Sequence, residues 1–321
     1  MKTLPLVSVV TPSFNQDAFL EKTMRSVLEQ DYPRIEYMVV DGASTDGSVE
    51  IIEKYAPRLT WWVSEKDNGQ AEAINKGLAR ANGEVVAWLN SDDFYLPGAI
   101  ARAVDALEKH PEAGFVFGEV RVMNPAGEVT NLLRYGDWSL KDLMEFRIIG
   151  QPAVFMRRST LEKAGLLDPS YHLLLDHQLW LRLAMVAGMY YVPQTWAGAH
   201  YHAGSKNKAL AAEFGKEAAR IVHWMESLPE LTTVFYENEK RIRAGAERLN
   251  AFYLFDAGDY RAALKAYRRS LGLHPAPAAQ DWYRILFAAL APLGLEKLKQ
   301  TYLDKRKERL STTEKPRSRG V

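Results

Sequence analysis

Short β-branched runs alternate with stretches of helical period across residues 1–110, and few architectures accept that pattern. "LVSVV" (6–10), "IEYMVV" (35–40), "LTWWVS" (59–64) and "EVVAWL" (84–89) are apolar at adjacent positions, as strands covered on both faces are. Between the first two, "DAFLEKTMRSVLEQ" (17–30) sets Phe19, Leu20, Met24, Val27 and Leu28 at helical spacing. "TDGSVEIIEKYA" (45–56) is a second helix, ended by Pro57, and "GQAEAINKGLARA" (69–81) a third, closed by Asn82-Gly83. "LPGAIARAVDALEKH" (96–110) is a fourth, with Pro97 in its first turn. The alternation predicts an α/β fold: a mostly parallel sheet with right-handed crossovers and helices on both faces.

The pattern then loosens. "AGFVFGEVRVMN" and "EVTNLLR" flank Pro125-Ala126-Gly127 as a hairpin, "SLKDLMEF" is a short helix and "QPAVFMRR" a strand. "DHQLWLRLAMVAG" (176–188) reads as an amphipathic helix and "MYYVP" (189–193) as a strand. This half is expected to add mixed sheet to the first. After residue 205 the strands stop. "RLNAFYLFDAGDYRAALKAYRRSLGLHP" (248–275) resembles one tetratricopeptide unit through Gly258, Tyr260, Ala263, Tyr267 and Pro275. A free-standing array needs about three such units, so a single helical hairpin is expected. The division expected is a folded α/β domain over 1–205, a helical region over 206–310 and a basic, disordered tail over 311–321.

Composition narrows the function classes. The 321 residues are 47% apolar and 25% charged, which favours a buried core over disorder. A net charge of +1 gives no global attraction to nucleic acid. The absence of cysteine excludes disulfides and thiolate metal sites. No apolar run nears the roughly 20 residues that cross a bilayer, and the N-terminus lacks a cleavage site, so a cytoplasmic protein is expected.

The buried run ending at Leu89 gives way to "NSDD", two adjacent carboxylates at Asp92 and Asp93. In an open parallel sheet, ligands bind beyond the carboxyl ends of the strands where strand order reverses. A strand order of 3-2-1-4 brings the ends of strands one, two and four to that crevice. Those ends carry "TPSFN" (11–15), "DGASTDGS" (41–48) and "NSDD" (90–93), so Asp41 joins the acid pair. Three acids at one edge call for positive charge, from a divalent cation or a basic residue. Mg²⁺ takes one or two carboxylates together with substrate phosphates, and Mn²⁺ also suits oxygen ligands. There is neither a GxxxxGK[ST] loop nor a GxGxxG, so the ATPase and dinucleotide fingerprints are both missing.

"VSVVTPSFN", "VVDGASTDGS", "SEKDNGQAEAINKGL" and "NSDDFYLPGAI", in that order, resemble the successive motifs of the family 2 glycosyltransferases with the GT-A fold. The likeness covers residues 5–203 and leaves the helical region outside. It implies transfer of a sugar from a nucleotide-diphosphate sugar, a UDP-sugar first, to a glycan or lipid-linked glycan hydroxyl. Inversion, dependence on Mn²⁺ or Mg²⁺ and a part in cell-surface polysaccharide synthesis go with it. By the same resemblance Asp41 pairs with the donor base, Asp92 lies by the ribose and metal, and Asp93 is the main metal ligand. Thr11, Pro12, Phe14 and Asn15 frame the nucleoside; Asp67, Gly69, Asn75 and Lys76 lie beside the donor. Asp176, at the start of a helix, is the general base, and it suits an N-cap equally. Asp168 is the runner-up, though "GLLDPSY" reads better as a turn. Gln151 lines the acceptor side. His200 and His202 alternate on a strand-like segment, and His202 is the candidate late metal ligand.

The stretch 281–310 combines Trp282, Tyr283, Ile285, Leu286 and Phe287 with later lysines, as an interfacial anchor would, so peripheral contact with the inner membrane face is expected. A core helix is the alternative. The rival from another class is a non-catalytic protein that binds a nucleotide sugar, or a partner through its helical tail.

Overall fold

The computed structural model describes residues 3–124, 126–201 and 210–291. Two compact units result: one of Met1–Val120, Leu133–Leu143 and Ile148–His200, the other within Arg121–Leu132, Met144–Arg147 and Tyr201–Val321.

In the first unit β1 (Val7–Ser13), β2 (Ile35–Asp41), β3 (Trp61–Ser64) and β4 (Val85–Trp88) form the parallel half of the sheet, ordered β3-β2-β1-β4. The crossovers are α1 (Asp17–Leu28), α2 (Ser48–Tyr55) and α3 (Gln70–Leu78). Every residue of β1 is buried, as in a strand covered on both faces, and its Ser8 and Thr11 hydroxyls bond to Glu36 and Tyr37. α1 buries Leu20, Met24 and Val27, and α3 buries Ala71, Ala73, Ile74 and Leu78. At Gly77 a Cβ would come 2.4 Å from Val10 Cγ1, so α3 rides on β1 at backbone distance.

The sheet continues through β8 (Val154–Arg157), β6 (Ala113–Met123), β9 (Gly188–His200) and β5 (Asp93–Tyr95), with β7 (Val129–Leu133) paired to β6. β8 runs antiparallel to β4 and to β6, and β5 antiparallel to β9. The mixed character expected of this half is present. α4 (Ala99–Lys109), α5 (Leu140–Met144), α6 (Arg158–Ala164) and α7 (Leu175–Val186) complete the unit.

Four expectations are corrected. Pro97 is not in the first turn of α4; the helix starts at Ala99 behind Gly98, whose φ of 74° suits glycine. Asp93 opens a three-residue strand, β5, that pairs with β9 and has too little apolar periodicity to be read from sequence. β9 runs thirteen residues, well past Pro193, because pairing carries it through Gln194 and Thr195. α7 is not amphipathic: Leu175, His177, Gln178, Leu179, Trp180, Leu181 and Leu183 are all buried. A helix enclosed all round needs no polar face.

The second unit is helical: α8 (Ala211–Ser227), α9 (Thr232–Asp256), α10 (Tyr260–Leu273), α11 (Pro275–Ala279) and α12 (Trp282–Leu290). α9 and α10 form the hairpin the tetratricopeptide-like stretch suggested. Gly258 (φ 88°) turns the chain, and Asp259 caps α10 by accepting from the Ala262 N–H. Asp281 accepts from Arg248 Nε at 3.0 Å and from the Tyr267 hydroxyl at 3.2 Å, which pins the start of α12 to α9 and α10. The basic tail lies outside the described residues.

Candidate active site

The register of the parallel strands puts the sequence motifs at one edge. Ser13 is opposite Asp41 and Asp41 opposite Ser64, so β1, β2 and β3 end level; β4 ends earlier, with Trp88 opposite Val10, and the chain runs on from there into Asn90 to Asp93 on the same side of the sheet. Asp41 is fully buried at that edge. Its carboxylate accepts from the Ser44 N–H at 2.9 Å, the Ser44 hydroxyl at 2.5 Å and the Ser64 hydroxyl at 2.7 Å. The loop after β2 is tied to β1 by Asn15, whose N–H donates to the Ser44 hydroxyl and whose Oδ1 accepts from the Thr45 N–H. Asn15 (φ 51°) and Ala43 (φ 62°) both lie in the left-handed region, and for alanine that is strain held where a ligand is expected.

The remaining donor candidates divide into those that face outward and those the fold employs. Phe14 stands 60% exposed, out of the core. A Cβ at Gly42 would lie 3.3 Å from Phe14 Cδ2 and 2.9 Å from Asp67 Oδ2, so these three meet at one point. Asp67 Oδ1 accepts from the N–H of Gly69, whose φ of 122° suits glycine as it opens α3. Thr11 is interior, its hydroxyl bonded to that of Tyr37, and Pro12 is buried. Asn75 makes two bonds to the backbone of Leu167, at 2.8 and 3.0 Å, and Lys76 pairs with Glu65 at 2.7 Å.

Residues to which the sequence reading gave no such role hold the acid pair. Thr23, on α1, places its hydroxyl 2.8 Å from the Ser91 carbonyl and 2.6 Å from that of Asp93. His200 Nδ1 lies 2.5 Å from the Asp92 carbonyl. A carbonyl only accepts, so Nδ1 carries the proton, and Nε2 accepts from Lys22 Nζ at 3.1 Å. Asn90 Nδ2 donates to Asp93 Oδ2 at 3.2 Å, and Gln70 Nε2 donates to Asn90 Oδ1 at 2.7 Å. Asp93 is 6% exposed. Burial, then the neighbouring Asp92 carboxylate, pushes its carboxyl well above the ordinary range, against the opposing pull of Asn90 and the His200 N–H.

That chemistry fits a hard divalent cation. Two adjacent oxygen donors, one buried and disfavoured as an anion, gain from a shared positive charge. Among the described residues no group of three or more His, Cys, Asp or Glu side chains is placed to hold a metal ion. His202 lies outside the described residues.

Asp176 is not an N-cap; Leu174 holds that position, and Asp176 sits in the first turn of α7 with Oδ1 accepting from the His177 N–H at 2.7 Å. Trp180, one turn on, stacks on Trp88 at 5.2 Å and Phe115 at 5.8 Å, fixing α7 over β4 and β6. Gln151 is 7% exposed and donates to the Trp88 carbonyl at 2.7 Å, bracing the end of β4. Asp168 Oδ1 accepts from the Ser170 N–H within a turn, as its sequence suggested. Arg182 is spent on the carbonyls of Ala164, Gly165 and Leu166.

Next to Asp176, His177 is wholly enclosed, and burial lowers its pKa from 6.5 to about 4, with the Leu143 backbone working the other way. The unfolded chain therefore binds a proton first as pH falls. Stability from keeping this ring neutral is full above pH 6.5 and falls by about 3 kcal/mol towards pH 4. One histidine Cε1 proton resonance, assigned by its loss in His177→Gln, is expected to titrate near pH 4; titration of that resonance at an ordinary histidine value would count against this burial.

A sheet ordered β3-β2-β1-β4 and extended by antiparallel strands, with an acid pair after β4, is the arrangement of the GT-A fold. The chain belongs to the family 2 glycosyltransferases. The family model for "Glycosyl transferase family 2" matches residues 8–159. An uncharacterised glycosyltransferase of Mycobacterium tuberculosis is 35% identical over 193 residues, 58% of this chain and 71% of that one. The Bacillus subtilis protein TuaG, named for teichuronic acid biosynthesis, is 33% identical over 185 residues, 56% of this chain and 72% of that one. Among solved structures, the mannosyltransferase PcManGT of Pyrobaculum calidifontis with GDP-Man and Mn²⁺ shares the fold at a TM-score of 0.61 and 23% identity, over 94% of this chain and 84% of that one. S. aureus TarS 1–349 with UDP-GlcNAc does so at 0.58 and 14%, over 87% and 92%.

Proposed function

We propose that this chain transfers one sugar from a nucleotide-diphosphate sugar to a saccharide hydroxyl with inversion, in the synthesis of a cell-surface glycan. The reading is supported by the parallel register, which leads the chain into Asp41, the Phe14–Gly42–Asp67 contact and the Asp92–Asp93 pair from the same, C-terminal side of the sheet. Asp41 is set to accept from the donor base, with Ser44 and Ser64 fixing its carboxylate, and Phe14 offers that base an exposed ring. Thr11, Pro12 and Asn15 shape the turn on which Phe14 stands; Asn75 and Lys76 brace α3 behind it. Asp93, with Asp92 beside it, would hold Mg²⁺ or Mn²⁺. A cation there supplies charge neutralisation to the departing diphosphate. Asp176 takes the proton from the acceptor hydroxyl as that oxygen attacks the anomeric carbon. Gln151 keeps the end of β4 in place on the acceptor side. TuaG's name and the UDP-GlcNAc and GDP-Man complexes of the structural neighbours support this class of donor and product. A thermal-shift screen of UDP- and GDP-sugars with Mn²⁺ or Mg²⁺ tests it. Stabilisation by one nucleotide sugar only when the cation is present is the expected outcome; no stabilisation by any would favour a protein that does not use such donors.

Residues 1–205 carry the catalysis in this reading, and the helical region meets a membrane surface peripherally. No helix among the described residues is long and apolar enough to cross a bilayer. Trp282 (66% exposed) and Leu286 (51%) instead stand one turn apart on α12, ahead of a tail rich in lysine and arginine. Floated with phosphatidylglycerol liposomes, the full chain is expected to co-migrate and Trp282→Glu/Leu286→Glu to stay behind. Truncation at 281 is a poorer probe, because it removes the Asp281 partner of Arg248 and Tyr267.

A further inference from the structure

A cluster the donor motifs do not use reaches α7, the helix that carries Asp176, through the ring contacts of Phe117 with Phe115 and of Phe115 with Trp180. It draws on β6, on the segment 134–138 and on β9, all within the first unit. Tyr135 is its centre. Its ring packs edge-on against Phe117 at 5.5 Å, Trp138 at 5.3 Å and Tyr191 at 5.8 Å. Its hydroxyl accepts from the Gly150 N–H at 2.8 Å, and a Cβ at Gly150 would crowd that oxygen at 2.6 Å. Because Gly150 precedes Gln151, which is bonded to the Trp88 carbonyl, the cluster is tied to the end of β4 where the acids lie.

Two carboxylates act on the Tyr135 phenol. Burial raises its pKa, the Gly150 N–H opposes the rise, and Tyr191, Glu119 and Asp176 add to it. Asp176 is therefore within electrostatic reach of the aromatic group. Glu119 is 8% exposed and otherwise unexplained by the proposed chemistry. Its Oε1 accepts from the Tyr191 hydroxyl at 3.0 Å and its Oε2 from the Thr195 hydroxyl at 3.2 Å. Arg134 Nε lies 3.5 Å from Oε1, with the Arg134 side chain 66% exposed. Trp138 and Tyr191 are both partly exposed.

A sugar ring has a face of C–H bonds and a rim of hydroxyls. Aromatic faces suit the first, and a guanidinium–carboxylate pair, with a fixed fork of donors beside acceptor oxygens, suits the second. A long-chain alcohol would call for an apolar wall without the Glu119–Arg134 pair. We propose that Trp138, Tyr191, Arg134 and Glu119 form the acceptor subsite, which seats a saccharide unit and presents its hydroxyl to Asp176. The proposal rests on the reading of Asp176 as the general base.

The test uses the full chain, Mn²⁺ and the UDP- or GDP-sugar that stabilises it, with nucleotide release measured alone and with methyl hexosides, short oligosaccharides and a long-chain alcohol as acceptor probes. Release without a probe reports donor hydrolysis by water, so failure of donor binding or hydrolysis speaks against the proposed function and is separable from failure of the subsite. At least one saccharide is expected to accelerate release. Trp138→Ala and Arg134→Ala are expected to raise the KM for that saccharide about tenfold, the effect of one aromatic or charged contact. Donor affinity and the slow hydrolysis by water stay unchanged, and Trp138→Phe retains most of the acceptor affinity. The subsite is wrong if both alanine variants keep the wild-type acceptor KM, or if only the alcohol, and no saccharide, speeds release.

Discussion

Asp176→Asn is expected to reduce transfer by about 10²–10⁴-fold, the usual contribution of a positioned general base, while donor binding persists. The amide is nearly isosteric and can still accept from the His177 N–H through its carbonyl oxygen, so the first turn of α7 keeps its geometry. Trp180 remains stacked on Trp88, and the helix stays seated over β4. What goes is the ability to take a proton. Calorimetry with UDP and Mn²⁺ should give the wild-type dissociation constant, and an assay of transfer should give almost no turnover. Loss of donor affinity in this variant would move Asp176 from acid–base chemistry to donor binding. Asp168→Asn is the matched control, since Asp168 is occupied in its own turn, and it should transfer at near the wild-type rate.

Asp93→Asn should have two effects of opposite sign. Donor binding should lose its response to Mn²⁺, and transfer should disappear, because a neutral amide is a weak ligand for a hard cation. The protein without metal should nevertheless become more stable. The folded state raises the Asp93 pKa above 3.8, so the native protein binds this proton more tightly than the unfolded chain does. The resulting cost to stability is absent below that value, grows as pH rises towards the folded pKa and is complete above it. Removing the charge relieves it. A higher Tm without metal is the direction expected. A thermal melt at pH 7.5 with and without Mn²⁺ reads both effects. An unchanged or lower Tm without metal, together with a retained Mn²⁺ response, would contradict the assignment.

The two acids differ in how visible they are from the sequence. Asp92 and Asp93 interrupt an apolar run, and a carboxylate pair after a buried strand needs a cause, so the sequence points straight at them. Asp176 was legible as an acid near a helix start, but not as a residue inside the first turn. Leu174 holds the cap position through backbone geometry, with no side-chain bond to advertise it. Thr23, Asn90 and His200 gave less warning still. Thr23 sits in the middle of α1, and its hydroxyl matters only because the link from β4 to the start of β5 runs against that helix. His200 lies 108 residues after the Asp92 carbonyl it holds, and no periodicity spans such a gap. Asn75 misled in the other direction: on a helix beside the donor motifs it read as a ligand contact, yet its amide is committed to the backbone of Leu167.

Local chemistry accounts for what the residues alone determined. Apolar runs on adjacent positions, helical spacing between them and glycine or proline at the joints specify the strands and helices, because each of these depends on neighbours a few residues apart; the order β3-β2-β1-β4 pairs strands far apart in the chain and is decided by the tertiary structure. The mixed half of the sheet, the three-residue strand that carries Asp93, the enclosure of α7 and the aromatic cluster around Tyr135 depend on partners distant in the chain. Only the tertiary structure decides those, since strand pairing and burial are set by which surfaces meet, and a sequence states composition along a line rather than proximity in space.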